Sequence, residues 1–571
     1  MRLILHCIKQ HISTFLAGLL FLSVEAMADL LQPTFMSYIV DEGVKNADVR
    51  TVLYYGAIML GIAALGALGA VMRNMFASRT SQAIGKELRG EMYHKVQTLS
   101  LENIDRLKPA SIITRITNDV TQIQDFINGC MRIMIKAPIT CIGAIALIVI
   151  ETPRQIPMMA AVLIISAVFI FANMKCGYPR FERLQKRLDQ LNNVSREFLN
   201  SVRVVKAFHA EEKEKEKFRI ASEGLADAGV SAMRVMAVFA PLINFTVNFG
   251  IVVMLWISQN DSSTEIGKLM AAVNYMTQIL FAIGMVSNIL NTAARAMASS
   301  RRVNEILQET PAQLPPKEPL FPSIQGGVSF ENVSFAYAGA GRASLEGITI
   351  CINPGETIGI IGPTGSGKTT LVNLVPRFYD ATEGTVRVDG YDVTQIDEKT
   401  LRRAVAVVPQ KALLFSGTIL ENLRWGKADA TVEEVRRAAK IACADSFVQE
   451  TEKGYETHLS QGGVNLSGGQ KQRLALARAL VGNPRILILD DCTSALDADT
   501  EATVLNGLRR LSGQMTILLI SQRISTVMKT DRILCMENGR IQGIGTHSEL
   551  MHSCPSYQAI YDSQIGGMQN A

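Results

Sequence analysis

The first half of the chain is written as six long apolar stretches separated by two kinds of polar segment. The stretches cover Ile12–Val40, Val52–Val71, Ile133–Ile150, Ile156–Met174, Val235–Asn260 and Leu269–Ala294. A helix rises ~1.5 Å per residue, so ~20 apolar residues cross a bilayer, and most of these stretches reach that length. The third is the weakest, with Lys136 near its start and Pro138 just after. Three connecting segments are short: Asp41–Arg50, Glu151–Gln155 and Asp261–Lys268. Two are long and charged, with seven Lys/Arg in Ser78–Cys130 and thirteen in Lys175–Arg234, against four in the three short ones together. Basic loops stay on the cytoplasmic side, which places both long segments and both termini there. Phe181, Leu184, Leu188 and Leu191 repeat at helical spacing, so the long segments read as membrane helices continuing past the bilayer. Ala26-Met27-Ala28 mimics a leader cleavage site, but the apolar pattern resumes at once, and this reads as an uncleaved first span.

The pattern changes at a proline-rich connector holding Pro311, Pro315, Pro316, Pro319 and Pro322. Proline at that density cannot propagate a helix, so a domain boundary falls here. Beyond it, short β-branched runs at Thr357–Ile361, Ala404–Val408, Ile486–Leu489 and Thr516–Ile520 alternate with helical stretches. The reading is a membrane α-helical domain over 1–305, a linker over 306–325 and an α/β domain over 326–571. Composition agrees: 48% of the 571 residues are hydrophobic and 19% charged, where a soluble chain carries ~25% charge. A net charge of +5 with no long basic run gives no case for nucleic-acid binding. The nine cysteines are scattered without a C-x-x-C pair, which argues against a zinc site.

The chemistry sits in the α/β half. Gly362-Pro363-Thr364-Gly365-Ser366-Gly367-Lys368-Thr369 fits the P-loop pattern, follows the apolar run Thr357–Ile361, and opens a helix at Thr370. Its glycines let backbone N–H groups close around phosphate oxygens. Lys368 brings a point charge to the β- and γ-phosphates, and Thr369 offers a hydroxyl to Mg²⁺. The run Ile486–Leu489 ends on Asp490, an acid able to reach the metal beside the P-loop. Between the two lies Leu466-Ser467-Gly468-Gly469-Gln470, in which Ser467 is placed to cap a helix.

That pentapeptide, twenty residues before Asp490, resembles the signature of ATP-binding-cassette (ABC) proteins. Further segments are similar to the same family: Tyr337 to its adenine-stacking A-loop, Gln410 to its Q-loop, and Ser494-Ala495-Leu496-Asp497 to its D-loop. Six spans before one cassette resemble an exporter half-transporter of the multidrug, lipid or peptide type. The resemblance implies an α/β P-loop NTPase that binds ATP with Mg²⁺, the metal held by Thr369, Gln410 and Asp490. It implies a head-to-tail pair of cassettes, each signature capping the ATP of the other chain. It also implies short coupling helices, placed by position near Leu101–Asp105 and Ser201–Glu211.

Two positions depart from the family pattern. Asp491 stands where active cassettes carry Glu, and Gln522 where they carry the switch His. A carboxylate pulled back by ~1.5 Å and an amide that cannot titrate point to slow hydrolysis with ATP binding retained. The implied protein is the weak-site subunit of a heterodimeric exporter in the bacterial cytoplasmic membrane, its partner keeping Glu and His. Two other readings stay open: a slow homodimeric exporter, and a nucleotide-sensing or channel-like subunit that moves nothing. Drug- or lipid-like hydrophobic cargo is implied by the resemblance alone. In the first span, Glu25 and Asp29 share one helical face, which fits either cationic cargo or a contact with a neighbouring helix. Asn244, Thr246, Asn248, Asn274, Thr277, Gln278, Asn288 and Asn291 either line a path or bond between helices. Gly61, Gly66 and Gly69 are expected to pack closely.

Overall fold

The computed structural model describes residues 2–153, 156–258, 265–511 and 513–565. Two compact units emerge, Met1–Lys95 with Ala110–Gln308, and Val96–Pro109 with Glu309–Ala571.

The first unit is entirely helical. Among the described residues, five helical runs are long and apolar enough to cross a membrane: Ile12–Val44, Val49–Thr98, Pro109–Glu151, Ile156–Ala207 and Glu211–Ile257. They match the first five expected spans. A further helix covers Ile266–Gln308. The expected sixth span lies wholly within it, but several of its side chains, Asn288 and Asn291 among them, lie outside the described residues, as does part of the loop Asp261–Lys268. Beyond the first, the runs are far longer than their apolar stretches, because the polar extensions continue the same helical path. Val49–Thr98, for example, has 50 residues.

Local chemistry sets the ends. Asp48 accepts from the Arg50 amide at 2.9 Å and the Thr51 hydroxyl at 2.5 Å, starting the second run. Asp41 accepts the Gly267 and Lys268 amides at 2.7 and 3.1 Å, capping Ile266–Gln308 from another part of the chain. A Cβ on Gly66 would meet that of Ala28 at 2.8 Å, and one on Gly69 the Phe21 carbonyl at 3.2 Å. Those two glycines let the first two helices approach closely. Gly61 faces open space, so its expected packing role is corrected. Thr246 and Thr277 bond carbonyls one turn back on their own helices, as does Asn274.

The second unit is the α/β domain. Ten strands serve the description: β1 Val328–Phe335, β2 Leu345–Ile352, β3 Thr357–Ile361, β4 Glu383–Val388, β5 Tyr391–Asp392, β6 Val405–Val408, β7 Ile486–Asp490, β8 Thr516–Ile520, β9 Arg532–Glu537 and β10 Arg540–Gly545. The central sheet runs β10-β9-β3-β8-β7-β6, parallel except for β10, and an antiparallel sheet runs β2-β1-β4-β5. Every residue of β7 and β8 is buried, as uninterrupted apolar runs covered on both faces must be. The carboxyl ends of β3, β8 and β7 lie side by side, and in such sheets ligands bind at that edge.

Two boundaries shift. The last membrane-domain helix runs to Gln308, past the expected boundary at 305. The linker then binds its own unit: the Leu320 amide donates to the Gln395 carbonyl at 2.9 Å. The expected coupling segment appears as a helix over Leu101–Leu107 and belongs to the second unit. There the Tyr379 hydroxyl donates to Asp105 at 2.5 Å, and Asn103 donates to Glu309 at 2.7 Å. At the other expected segment, the helix ending at Ala207 gives way to a turn with His209 at φ 49° before Glu211 opens the next.

Candidate functional site

β3 delivers the chain to Gly362, whose φ of 156° and tight surroundings demand glycine: a Cβ there would stand 2.0 Å from the Met536 carbonyl oxygen. Gly367, at φ 96°, turns the loop into the helix Lys368–Asn373. Lys368 folds back over the loop, donating to the carbonyls of Gly362 and Pro363 at 2.8 and 2.7 Å and to the Ser366 hydroxyl at 3.4 Å. Burial pulls its pKa below the ordinary lysine value, opposed by the charges of Asp490 and Asp491. An ammonium satisfied by its own loop carbonyls is held ready to exchange them for phosphate oxygens.

Asp490 ends β7, two strands over. It accepts the Thr369 hydroxyl at 3.0 Å. Burial raises its pKa, with the neighbouring Asp491 charge pushing the same way. Asp491 is also raised by burial, and its backbone is left-handed at φ 46°. Its Oδ2 accepts two amides, from Gln410 Nε2 at 3.2 Å and Gln522 Nε2 at 3.1 Å. These side chains open on a cleft of about 320 Å³, lined by Thr364, Gly365, Gly367, Lys368, Thr369, Thr370, Gln410, Asp490, Asp491 and Gln522. Ser344 and Ile520 join the wall. Neither was singled out from sequence: Ser344 carries no motif, and Ile520 was read only as the end of a strand.

Tyr337 stands near the cleft but outside its lining. It packs against Phe335 and Tyr379 with ring centroids 4.9 and 5.3 Å apart, and its hydroxyl pairs with that of Thr370 at 3.2 Å. The pentapeptide Leu466–Gln470 is absent from the cleft wall. Ser467 caps the helix Gly468–Val481, accepting the Gln470 amide at 3.3 Å, while the Gln470 side chain accepts the Ser467 amide at 2.9 Å. This helix start is therefore built, and it lies outside the lining of its own chain's cleft.

Two family models match, an ABC transporter transmembrane region over residues 15–283 and an ABC transporter cassette over 345–494. The chain belongs to the ABC transporters. It is 38% identical to an uncharacterized ABC transporter ATP-binding protein of Mycobacterium tuberculosis, over 99% of this chain and 100% of that one. It is 32% identical to a putative multidrug export ATP-binding/permease protein of Bacillus subtilis, over 97% of each. In fold it matches the solved structure of a bacterial Atm1-family ABC exporter with ATP bound, at a TM-score of 0.77 and 24% identity over 98% of each chain.

An ABC cassette binds ATP, normally with Mg²⁺, and the residues present fit both. Thr369 hydroxyl, Asp490 carboxylate and Gln410 amide oxygen form an all-oxygen donor set, which suits a hard cation. Two buried carboxylates side by side face Lys368 and, at Asp491, the charge of Arg523, and their pKa values are still raised; a divalent ion would add positive charge between them. Both pKa values are raised, so ionising the pair costs the nucleotide-free fold. The cost is present at neutral pH and relieved as pH falls through the raised values. Asp490→Asn is accordingly expected to raise the apo melting temperature by about 2–4 °C, the equivalent of ~1 kcal/mol for a domain of this size. It should also remove the further stabilisation given by Mg²⁺ with ATP. Calorimetry with and without Mg-ATP reads both effects.

Proposed function

We propose that the chain is one half of an ATP-driven exporter, with a slow hydrolytic site of its own and a signature that completes the partner's site. The partner is a second, different half-transporter carrying Glu and His at the positions of Asp491 and Gln522. The cargo is hydrophobic or amphipathic, drug- or lipid-like, in keeping with the export named for the Bacillus relative. The setting is the bacterial cytoplasmic membrane, with the cassette and both termini in the cytoplasm, by the distribution of Lys and Arg.

The observation that carries this reading is the double amide clamp on Asp491. A base that positions water needs a free lone pair in line with the γ-phosphate. Oδ2 of Asp491 is occupied by Gln410 and Gln522, which leaves Oδ1 alone to meet a water, and the side chain is one methylene shorter than Glu. A misplacement of ~1 Å costs ~100-fold in rate. Gln522 spends an amide N–H on Asp491 and has no imidazolium charge to place on the phosphate. ATP binding rests on other groups: Lys368, Thr369, Asp490 and the loop amides. Tyr337 supplies an aromatic face for the base. When bound, Mg²⁺ would neutralise phosphate charge, held by Thr369, Asp490 and Gln410.

Restoring the family residues tests it. A typical enzymatic turnover is ~10 per second, so the isolated chain is expected near ~0.1 per second given the ~100-fold loss. The double variant Asp491→Glu, Gln522→His should raise it at least tenfold. A wild-type chain that alone turns over ATP above about 1 per second, and stops as Asp491→Asn, is a homodimeric enzyme and overturns the proposal.

A further inference from the structure

Within the membrane unit, a second cleft of about 260 Å³ is lined by Asp29, Arg132, Lys136, Thr140 and Gln278, with Ile133, Phe281 and Met285 supplying apolar wall. Its charges do not cancel. Glu25 accepts from Arg73 at 2.5 Å and from Lys136 at 2.6 Å, and Asp29 pairs with the same Lys136 at 2.8 Å. Glu25 and Arg73 are each only 7% exposed. Two carboxylates thus engage two cations. Arg132 remains, in the wall of the same cleft, with no ion-pair partner among the described residues.

The neutral polar groups are also incomplete. Thr140 is 8% exposed, and its hydroxyl has no hydrogen-bond partner among the described residues. The Gln278 side chain donates to the Asp29 carbonyl at 3.3 Å, but its Oε1 is unpartnered as well. A buried polar atom without a partner is expensive, and more so where no water competes. A protein seldom keeps two of them in one cleft beside a lone guanidinium unless something else satisfies them.

We propose that this cleft binds an amphipathic anion. An acidic group, phosphate, sulfonate or carboxylate, sits on Arg132 and takes the Thr140 hydroxyl. A hydroxyl or amine beside it donates to Gln278 Oε1. The hydrophobic part lies along Ile133, Phe281 and Met285. The paired Glu25, Asp29, Arg73 and Lys136 hold the wall in shape and compensate one another's charge, so Arg132 is left for a single acidic group. As an assignment of cargo class, it rests on the export reading above.

The test measures equilibrium binding to the full-length chain in phosphatidylcholine nanodiscs. Three probes are compared: 1-oleoyl lysophosphatidic acid, the soluble aryl sulfonate 1-anilinonaphthalene-8-sulfonate, and the uncharged monoolein. At least one anion is expected to bind tenfold or more tightly than monoolein. Arg132→Gln should weaken that anion about tenfold, the usual worth of a charge-assisted hydrogen bond. Thr140→Val should weaken it by less, and both variants should keep the wild-type circular-dichroism spectrum and melting temperature in nanodiscs, which certifies their folding. A lysophosphatidic acid response assigns the site to lipid, and a response confined to the sulfonate assigns it to soluble amphipathic anions. Monoolein binding as tightly as both anions overturns the proposal, as does a folded Arg132→Gln protein with both anions within twofold of wild type. Should Arg132→Gln fail to fold, the wild-type anion preference and the Thr140→Val loss decide. Arg132-dependent binding without movement of the probe in vesicles would sink export while leaving the site intact.

Discussion

Replacing Lys368 by alanine is expected to weaken ATP binding to this chain by about a hundredfold or more. In the nucleotide-free protein the ammonium is satisfied by two loop carbonyls and the Ser366 hydroxyl. It is buried, and burial disfavours its charge. Phosphate oxygens relieve that strain and gain a fixed cation where water is scarce. Removing one member of such a buried charge contact costs 2–5 kcal/mol, and 2.7 kcal/mol is already a hundredfold. The alanine also releases the carbonyls of Gly362 and Pro363, so the loop loses its internal brace along with its charge. Lys368→Arg keeps charge but not the compact shape that fits between those carbonyls, and should recover less than half of the lost binding energy. Titration with a fluorescent ATP analogue checks both variants. Binding within fivefold of wild type for the alanine variant would show that the loop amides alone hold the nucleotide.

Much of this was legible in the sequence because its signals are local. The P-loop residues, the acid at the end of β7 and the capped signature helix each follow from a few adjacent positions. So do the first five membrane runs, since apolar length is a property of a window. What the sequence hides is pairing across distance. Lys136 weakened the third apolar stretch as a span, yet it is matched by Glu25 and Asp29 from the first helix, more than a hundred positions earlier. Equally, those two acids looked ambiguous because their partners, Arg73 and Lys136, lie on other helices. The clamp on Asp491 joins residues 81 and 31 positions away, and only the adjacency of strand ends brings them together. Helix ends were also hidden: an apolar run marks where a helix meets lipid, and nothing in hydropathy marks where it stops in water.

The second large effect separates the two halves of the nucleotide machinery. With the transporter purified alongside its native partner, Ser467→Arg is expected to lower ATPase activity by a hundredfold or more, whereas Asp491→Asn should leave it within about twofold. Ser467 and the amides of Gly468 and Gly469 form the start of a 14-residue helix, whose positive end and N–H groups outside the cap favour a phosphate. They stand apart from this chain's own cleft, so in the proposed head-to-tail pair they would serve the site where the partner's Glu works. An arginine at 467 loses the cap, worth ~1 kcal/mol, and its bulk separates the amides from the developing charge. Donors of that kind are worth 10²–10³ in rate. Asp491 is already held by two amides, so on the proposed reading converting it to Asn removes a carboxylate that contributes little to turnover. The reverse pattern, a large loss at Asp491 and a small one at Ser467, would place the working site in this chain.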